Sequence, residues 1–227
     1  MLTLLTATGM RPEAWKICQE LMRRQTYAGD VTWIIVDDGA KQQSVDFKRD
    51  KWNLILVRPE VLWQPETNTQ ASNLRAGMRH VYPDSRLVII EDDDCYHPQW
   101  LERVNGWLDT HDLVGESFAR YYNIAQKKAR QLNNQNHASL CATGMKGEAI
   151  LTFAHQLKTG AKFIDLHLWG DFQGSKKVHR TQMVTGIKGL PGRTGIGMGH
   201  SPTFSGQIDH DGKILRQWVE PNFDLYG

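Results

Sequence analysis

The sequence has no apolar run approaching the roughly 20 residues that cross a bilayer, which excludes a helical membrane span. Its opening stretch, MLTLLTATGMRP, lacks both a basic start and a small-residue cleavage site, so no export signal is read and the cytoplasm is the expected location. Cysteine is scarce: Cys18, Cys95 and Cys141 are scattered, odd in number and without zinc spacing, which excludes a disulfide framework. Charge of one sign is lacking as well. A formal net charge of +2 over 227 residues falls far short of the excess that marks a dedicated nucleic-acid-binding module. Low-complexity tracts and internal repeats are missing, which leaves an ordinary folded chain.

What is present is a core-forming composition, 40% apolar and 23% charged, and a chain short enough to fold as one domain over 1–227. The N-terminal half alternates between two periods. LTLLTAT reads as a strand, and Pro12 and Glu13 open a helix in which Trp15, Cys18, Leu21 and Met22 recur at helical spacing. VTWIIVDDG and WNLILVRP are two further strands, ASNLRAGMRHVY a helix, and RLVII a fourth strand with the continuous apolar character of a parallel strand covered on both faces. These repeats predict an α/β fold with an open, mostly parallel central sheet flanked by helices. Ligands in such sheets bind beyond the carboxyl ends of the strands, which is where Thr6, Thr8, Asp37, Asp38 and the run Glu91–Asp94 fall. The second half is more polar. NNQNH reads as a loop, KGEAILTFAHQL as a helix, FIDLHLWGDF as a strand running into a helix, and VTGIKGLPGRTGIGMGHS as a glycine-rich loop suited to closing on an anion.

Four consecutive acids, Glu91, Asp92, Asp93 and Asp94, directly follow the fourth strand. A short acidic run is more often a solvated turn. Here it follows a buried strand, and a second acidic pair, Asp37 and Asp38, ends another strand of the same sheet. Close carboxylates resist full ionisation without positive charge between them, and their hard oxygens suit Mg²⁺ or Mn²⁺ bridging to phosphates. A divalent ion with a nucleotide diphosphate is the expected occupant.

Taken in order, TATGMRP, WIIVDDG, NLRAGM, VIIEDDDCYHP and IDLHLW resemble the inverting family 2 glycosyltransferases of GT-A fold, closely over residues 2–101 and more loosely beyond. The resemblance implies a Rossmann-like domain with a nucleotide-sugar half, 1–101, and an acceptor half, 102–227. It implies that Thr6, Thr8 and Arg11 line the nucleotide, that Asp37 and Asp38 face base and ribose, and that Arg75 approaches the diphosphate. Aligned on Pro98, Glu91-Asp92-Asp93 stands for the family's D-x-D motif, with Asp93 as metal ligand and Glu91 departing from the usual aspartate. His200 is the second metal ligand by the same resemblance, set against the more common fate of a lone histidine at the surface. Lys188 and Arg193 neutralise the leaving group if their loop folds over the diphosphate.

An inverting transfer needs a carboxylate base. IDLHLW places Asp165 at the family's helix-start position, with Ile164 where an acid is usual, and Asp171 is the alternative; a plain helix cap is the structural reading of Asp165. Trp100, Trp169 and His137 are the candidate acceptor contacts. The wider pattern is similar to small glycosyltransferases of tailed phages and prophages, which implies a hydroxymethylated pyrimidine in phage DNA as acceptor and the host cytoplasm as location. Lys127, Lys128 and Arg130, with Lys176, Lys177 and Arg180, would supply the basic rim. A saccharide or lipid-linked acceptor is the alternative. A nucleotidyltransferase is the reading from another class, and it normally shows a Gly-rich signature where TATGMRP has one glycine.

Overall fold

The computed structural model describes residues 1–160, 163–195 and 197–226. In chain order the elements are β1 (Leu2–Thr8), α1 (Pro12–Arg23), β2 (Val31–Asp37), β3 (Trp52–Val57), α2 (Gln70–Met78), β4 (Arg86–Ile89), β5 (Cys95–Tyr96), α3 (Trp100–Trp107) and β6 (Leu113–Glu116). There follow β7 (Arg120–Asn123), β8 (Lys128–Gln131), β9 (Thr143–Lys146), α4 (Glu148–Thr159), α5 (Ile164–Asp171), β10 (Lys176–His179), β11 (Val184–Lys188), β12 (Gln207–Ile208) and α6 (Lys213–Val219).

The central sheet runs β10-β6-β9-β4-β1-β2-β3. The pairs β1–β2, β1–β4, β2–β3 and β6–β10 are parallel, and β9 runs antiparallel between β4 and β6. Strand alternation sends Leu2, Leu4, Val31, Trp33, Ile35 and Val88 to one face, where they pack with α1 and α3. Leu5, Ile34, Val36, Leu87 and Ile89 pack on the other with α2, α4 and α5. Burying each such side chain stabilises the fold by about 1.5–3 kcal/mol, so the two-faced burial explains why these strands are apolar throughout. Gly77 lets α2 approach: a Cβ there would lie 2.3 Å from Leu5 Cδ1.

A second sheet, β12-β8-β7-β11-β5, was not legible in the sequence. Its strands are short, with β5 and β12 of two residues each, too few to show a period. The acidic run is the turn that carries the chain from β4 in the first sheet to β5 in the second, pinned by the Glu91 N–H donating to Tyr96 Oη at 2.8 Å. Two local expectations change: 164–171 is helical throughout, and the supposed glycine-rich loop begins as strand β11. No helix among the described residues is long and apolar enough to cross a membrane.

Candidate functional site

The site is built where β1, β2 and β4 end side by side, because parallel strands in register bring their carboxyl ends to one edge. Asp92, Asp93 and Asp94 are all buried there, and the positive charge between them comes from the protein itself. Arg11, beyond β1, donates from Nη1 to Asp92 Oδ1 and from Nη2 to Asp93 Oδ2, both at 2.5 Å. Thr8 Oγ1 donates to Asp92 Oδ2 at 2.7 Å. Lys188, at the end of β11, places Nζ 2.7 Å from Asp94 Oδ1, 3.2 Å from Asp93 Oδ1 and 3.7 Å from Glu91 Oε2. The pairing β5–β11 explains this reach, since it lays the end of β11 along the acidic turn. His200 Nε2 lies 3.2 Å from Asp93 Oδ2.

The electrostatics follow from this crowding. Burial alone would raise Asp93, but Arg11 and Lys188 hold it well below the usual carboxylate range. Burial raises Glu91 first, then Asp94, Asp93 and Asp165 add to it against the pull of Lys188. Burial lowers His200 against the pull of Asp93, which favours the neutral imidazole, the form that ligates a metal. Asp93 and His200 therefore offer an oxygen and a nitrogen donor facing one another, a set that fits Mn²⁺ or Mg²⁺. Glu91, Asp94 and Cys141 also place ligand atoms within 4.8 Å of one another, although Lys188 already occupies two of them.

A second group closes over the end of β2. Asp38 is fully buried: Oδ1 takes Arg193 Nη1 at 2.6 Å, and Oδ2 takes Asn73 Nδ2 at 2.7 Å and the Thr69 hydroxyl. Arg193 also donates to Thr69 Oγ1 at 2.8 Å and lies over the Trp63 ring. Its backbone N–H bonds the Met10 carbonyl at 3.0 Å, so the segment after β11 crosses back over the β1 turn. Asp37 accepts the N–H groups of Gly39 and Gln43 beside a shallow cleft lined by Thr8, Trp15, Gln43 and Leu56. Gly9 makes the close packing of this corner possible at φ +149°; a Cβ there would lie 2.2 Å from Asp38 Oδ1. Gly9→Ala is expected to destabilise the protein by at least the roughly 1–3 kcal/mol of backbone strain, read as a lower denaturant midpoint.

Asp165 sits in the first turn of α5, half-buried, with its pKa raised by burial against the pull of His137 and His167. Asp171 is at the other end of that helix, exposed and held by Gln156 Nε2 at 2.8 Å, and does not join the cluster. Three sequence expectations are corrected. Thr6 is fully buried and accepts from Trp33 Nε1 at 2.9 Å, so it packs the core and does not line a nucleotide. Trp100 is fully buried between Tyr96 and Trp107, and Trp169 is buried with Nε1 3.4 Å from Thr143 Oγ1, so neither reaches an acceptor. Arg75 lies on the exposed face of α2, while the helix turns Asn73 to the site. Thr69, Gln43 and Trp63 carry no signal in the sequence, since single polar or aromatic loop residues have no period; Asn73 stood inside NLRAGM.

Structures with the same fold include S. aureus TarS 1-349 in complex with UDP-GlcNAc, at TM-score 0.57 and 12% identity over 88% of this chain and 61% of that one. Another is S. aureus TarS 1-349 in complex with UDP, at TM-score 0.56 and 10% identity over 82% of this chain and 60% of that one. The chain thus spans about three fifths of those structures. No curated protein matches, and these likenesses give no support to a phage origin. The family model described as "Glycosyl transferase family 2" matches residues 14–176, which takes in the acidic turn and Asp165 but leaves Arg11, Lys188, Arg193 and His200 outside. With most of its length matched and its acidic turn set at the ends of parallel strands, the chain belongs to glycosyl transferase family 2.

Proposed function

We propose that this enzyme is a metal-dependent, inverting glycosyltransferase that moves a sugar from a UDP-sugar to a saccharide hydroxyl. The observation that carries the reading is the convergence of Asp93, His200, Arg11 and Lys188 on one edge, with Asp165 near enough to perturb Glu91. UDP is preferred because TarS, of the same fold, has been solved with UDP and UDP-GlcNAc. The nucleoside lies in the cleft beside Thr8 and Asp37. Asp93 and His200 would hold a divalent ion, which when bound would supply Lewis-acid stabilisation of the departing diphosphate. Arg11, Lys188 and Arg193 add positive charge around the same phosphates. Asp165 takes the proton of the acceptor hydroxyl as that oxygen attacks the anomeric carbon and the bond to the diphosphate breaks on the opposite side.

A saccharide is favoured over hydroxymethylated DNA by what surrounds Asp165. Phe163 and Leu166 are exposed beside it, an apolar rim suited to a sugar face. The basic clusters are partly committed elsewhere: Lys176 Nζ bonds the Trp169 and Phe172 carbonyls at the end of α5, and Lys128 Nζ bonds the Phe204 carbonyl. The test is to incubate the full chain with UDP-, GDP- and dTDP-sugars, with Mn²⁺ or with EDTA, and to measure released nucleotide. Release from a UDP-sugar, lost in EDTA and stimulated by an oligosaccharide, is expected. Release that ignores EDTA would remove the metal, and stimulation by hydroxymethylated duplex DNA but not by oligosaccharides would reverse the acceptor.

A further inference from the structure

Lys188 is the buried cation that three carboxylates share, and it lies outside the segment that marks the family. Both oxygens of Asp93 already face a protein cation, Oδ1 the Lys188 ammonium and Oδ2 the Arg11 guanidinium. Arg11 is fixed by its two carboxylate bonds and by its backbone N–H, which donates to Gln43 Oε1 at 3.1 Å. Lys188 differs. Its charge stands at the end of a flexible four-carbon stem, its backbone is followed by Gly189 at φ +75°, and its stem lies against Gly199, where a Cβ would come within 2.6 Å of Lys188 Cγ.

This arrangement sets a charge condition. A divalent ion taken up by Asp93 enters a buried site where two cations already stand, and like charges repel strongly where water is excluded. A diphosphate entering at the same time brings the negative charge that the ammonium can follow. We propose, resting on the reading of the site given above, that Lys188 is a tethered counter-ion that couples metal binding to diphosphate binding. Without donor it neutralises Asp93 and Asp94; with metal and nucleoside diphosphate together it transfers its charge to the phosphates. Each ligand then strengthens the other's binding by the same factor.

The experiment is Mn²⁺ binding to the full chain, followed by the paramagnetic resonance signal of free Mn²⁺, with and without saturating UDP. Wild type is expected to bind Mn²⁺ about 10-fold or more tightly with UDP than without, within the usual range of coupling between sites. Lys188→Met removes the competing charge, so its affinity for Mn²⁺ alone should rise by a similar factor and the effect of UDP should shrink accordingly. A purely structural lysine would leave the Mn²⁺ affinity of the variant unchanged or lower, and that result would overturn the proposal. Equal Mn²⁺ affinity of wild type with and without UDP would overturn it too, whether or not the variant folds. If neither protein binds Mn²⁺ while UDP is bound, the metal assignment falls together with it, a failure distinct from unchanged binding in the variant alone.

Discussion

Asp165→Asn is expected to lower turnover by about 10²- to 10⁴-fold, the usual loss when a general base is removed, with donor affinity nearly unchanged. Asparagine keeps the shape of the helix start and a side-chain oxygen, so the first turn of α5 is retained, but the amide does not accept the acceptor's proton. The wild-type pH profile supplies an independent check. Burial raises the Asp165 pKa, and a base works only when deprotonated, so activity should rise with pH through a midpoint above the ordinary aspartate value. In Asp165→Asn that acid limb should vanish. Asp171→Asn should retain most activity, because that carboxylate serves Gln156 at the far end of the helix. An inactive Asp171→Asn beside an active Asp165→Asn would exchange the two roles.

The second large effect is expected at Asp93. Its carboxylate joins Arg11, Lys188 and His200, so Asp93→Asn removes the negative charge that all three converge on. Breaking one side of a buried ion pair typically costs about 3–5 kcal/mol. The cost here should fall toward the low end, because Arg11 keeps Asp92 and Lys188 keeps Asp94. Thermal unfolding would show the destabilisation directly. Donor turnover should fall by roughly 10²-fold or more, as for loss of a preorganised charge at the reacting centre, and the rise in melting temperature expected of wild type with Mn²⁺ and UDP together should be lost. A variant that Mn²⁺ and UDP stabilise as fully as wild type would move the metal ligand to Asp94 or Asp92.

Much of the first half of the chain could be read from the residues alone. Parallel strands buried on both faces are apolar without interruption, so β1, β2 and β4 stood out, and acids placed directly after two of them marked one edge of the sheet. The family resemblance, aligned on Pro98, pointed to Asp93, the carboxylate on which Arg11, Lys188 and His200 converge. Periodicity reports which side of an element is buried, and for that reason it was mute on Trp100 and Trp169. Tryptophans near a motif look the same in sequence whether they face the cleft or the core, and only the packing against Tyr96, Trp107 and Thr143 decided it.

By itself the sequence determined the α/β order of the first half and the acidic turn, because each depends on neighbours within a few residues. The tertiary structure decided what neutralises those acids. Lys188 meets Asp94 from 94 positions away, and Arg193 meets Asp38 from 155 positions away. No local pattern encodes such pairs: they exist because β5 pairs with β11 and the following segment crosses back over the β1 turn. The charge that a carboxylate cluster must find to stay buried was thus supplied by Arg11 beyond β1 and, from the remote half of the chain, by Lys188, which arrives through a second sheet whose strands are too short to announce themselves.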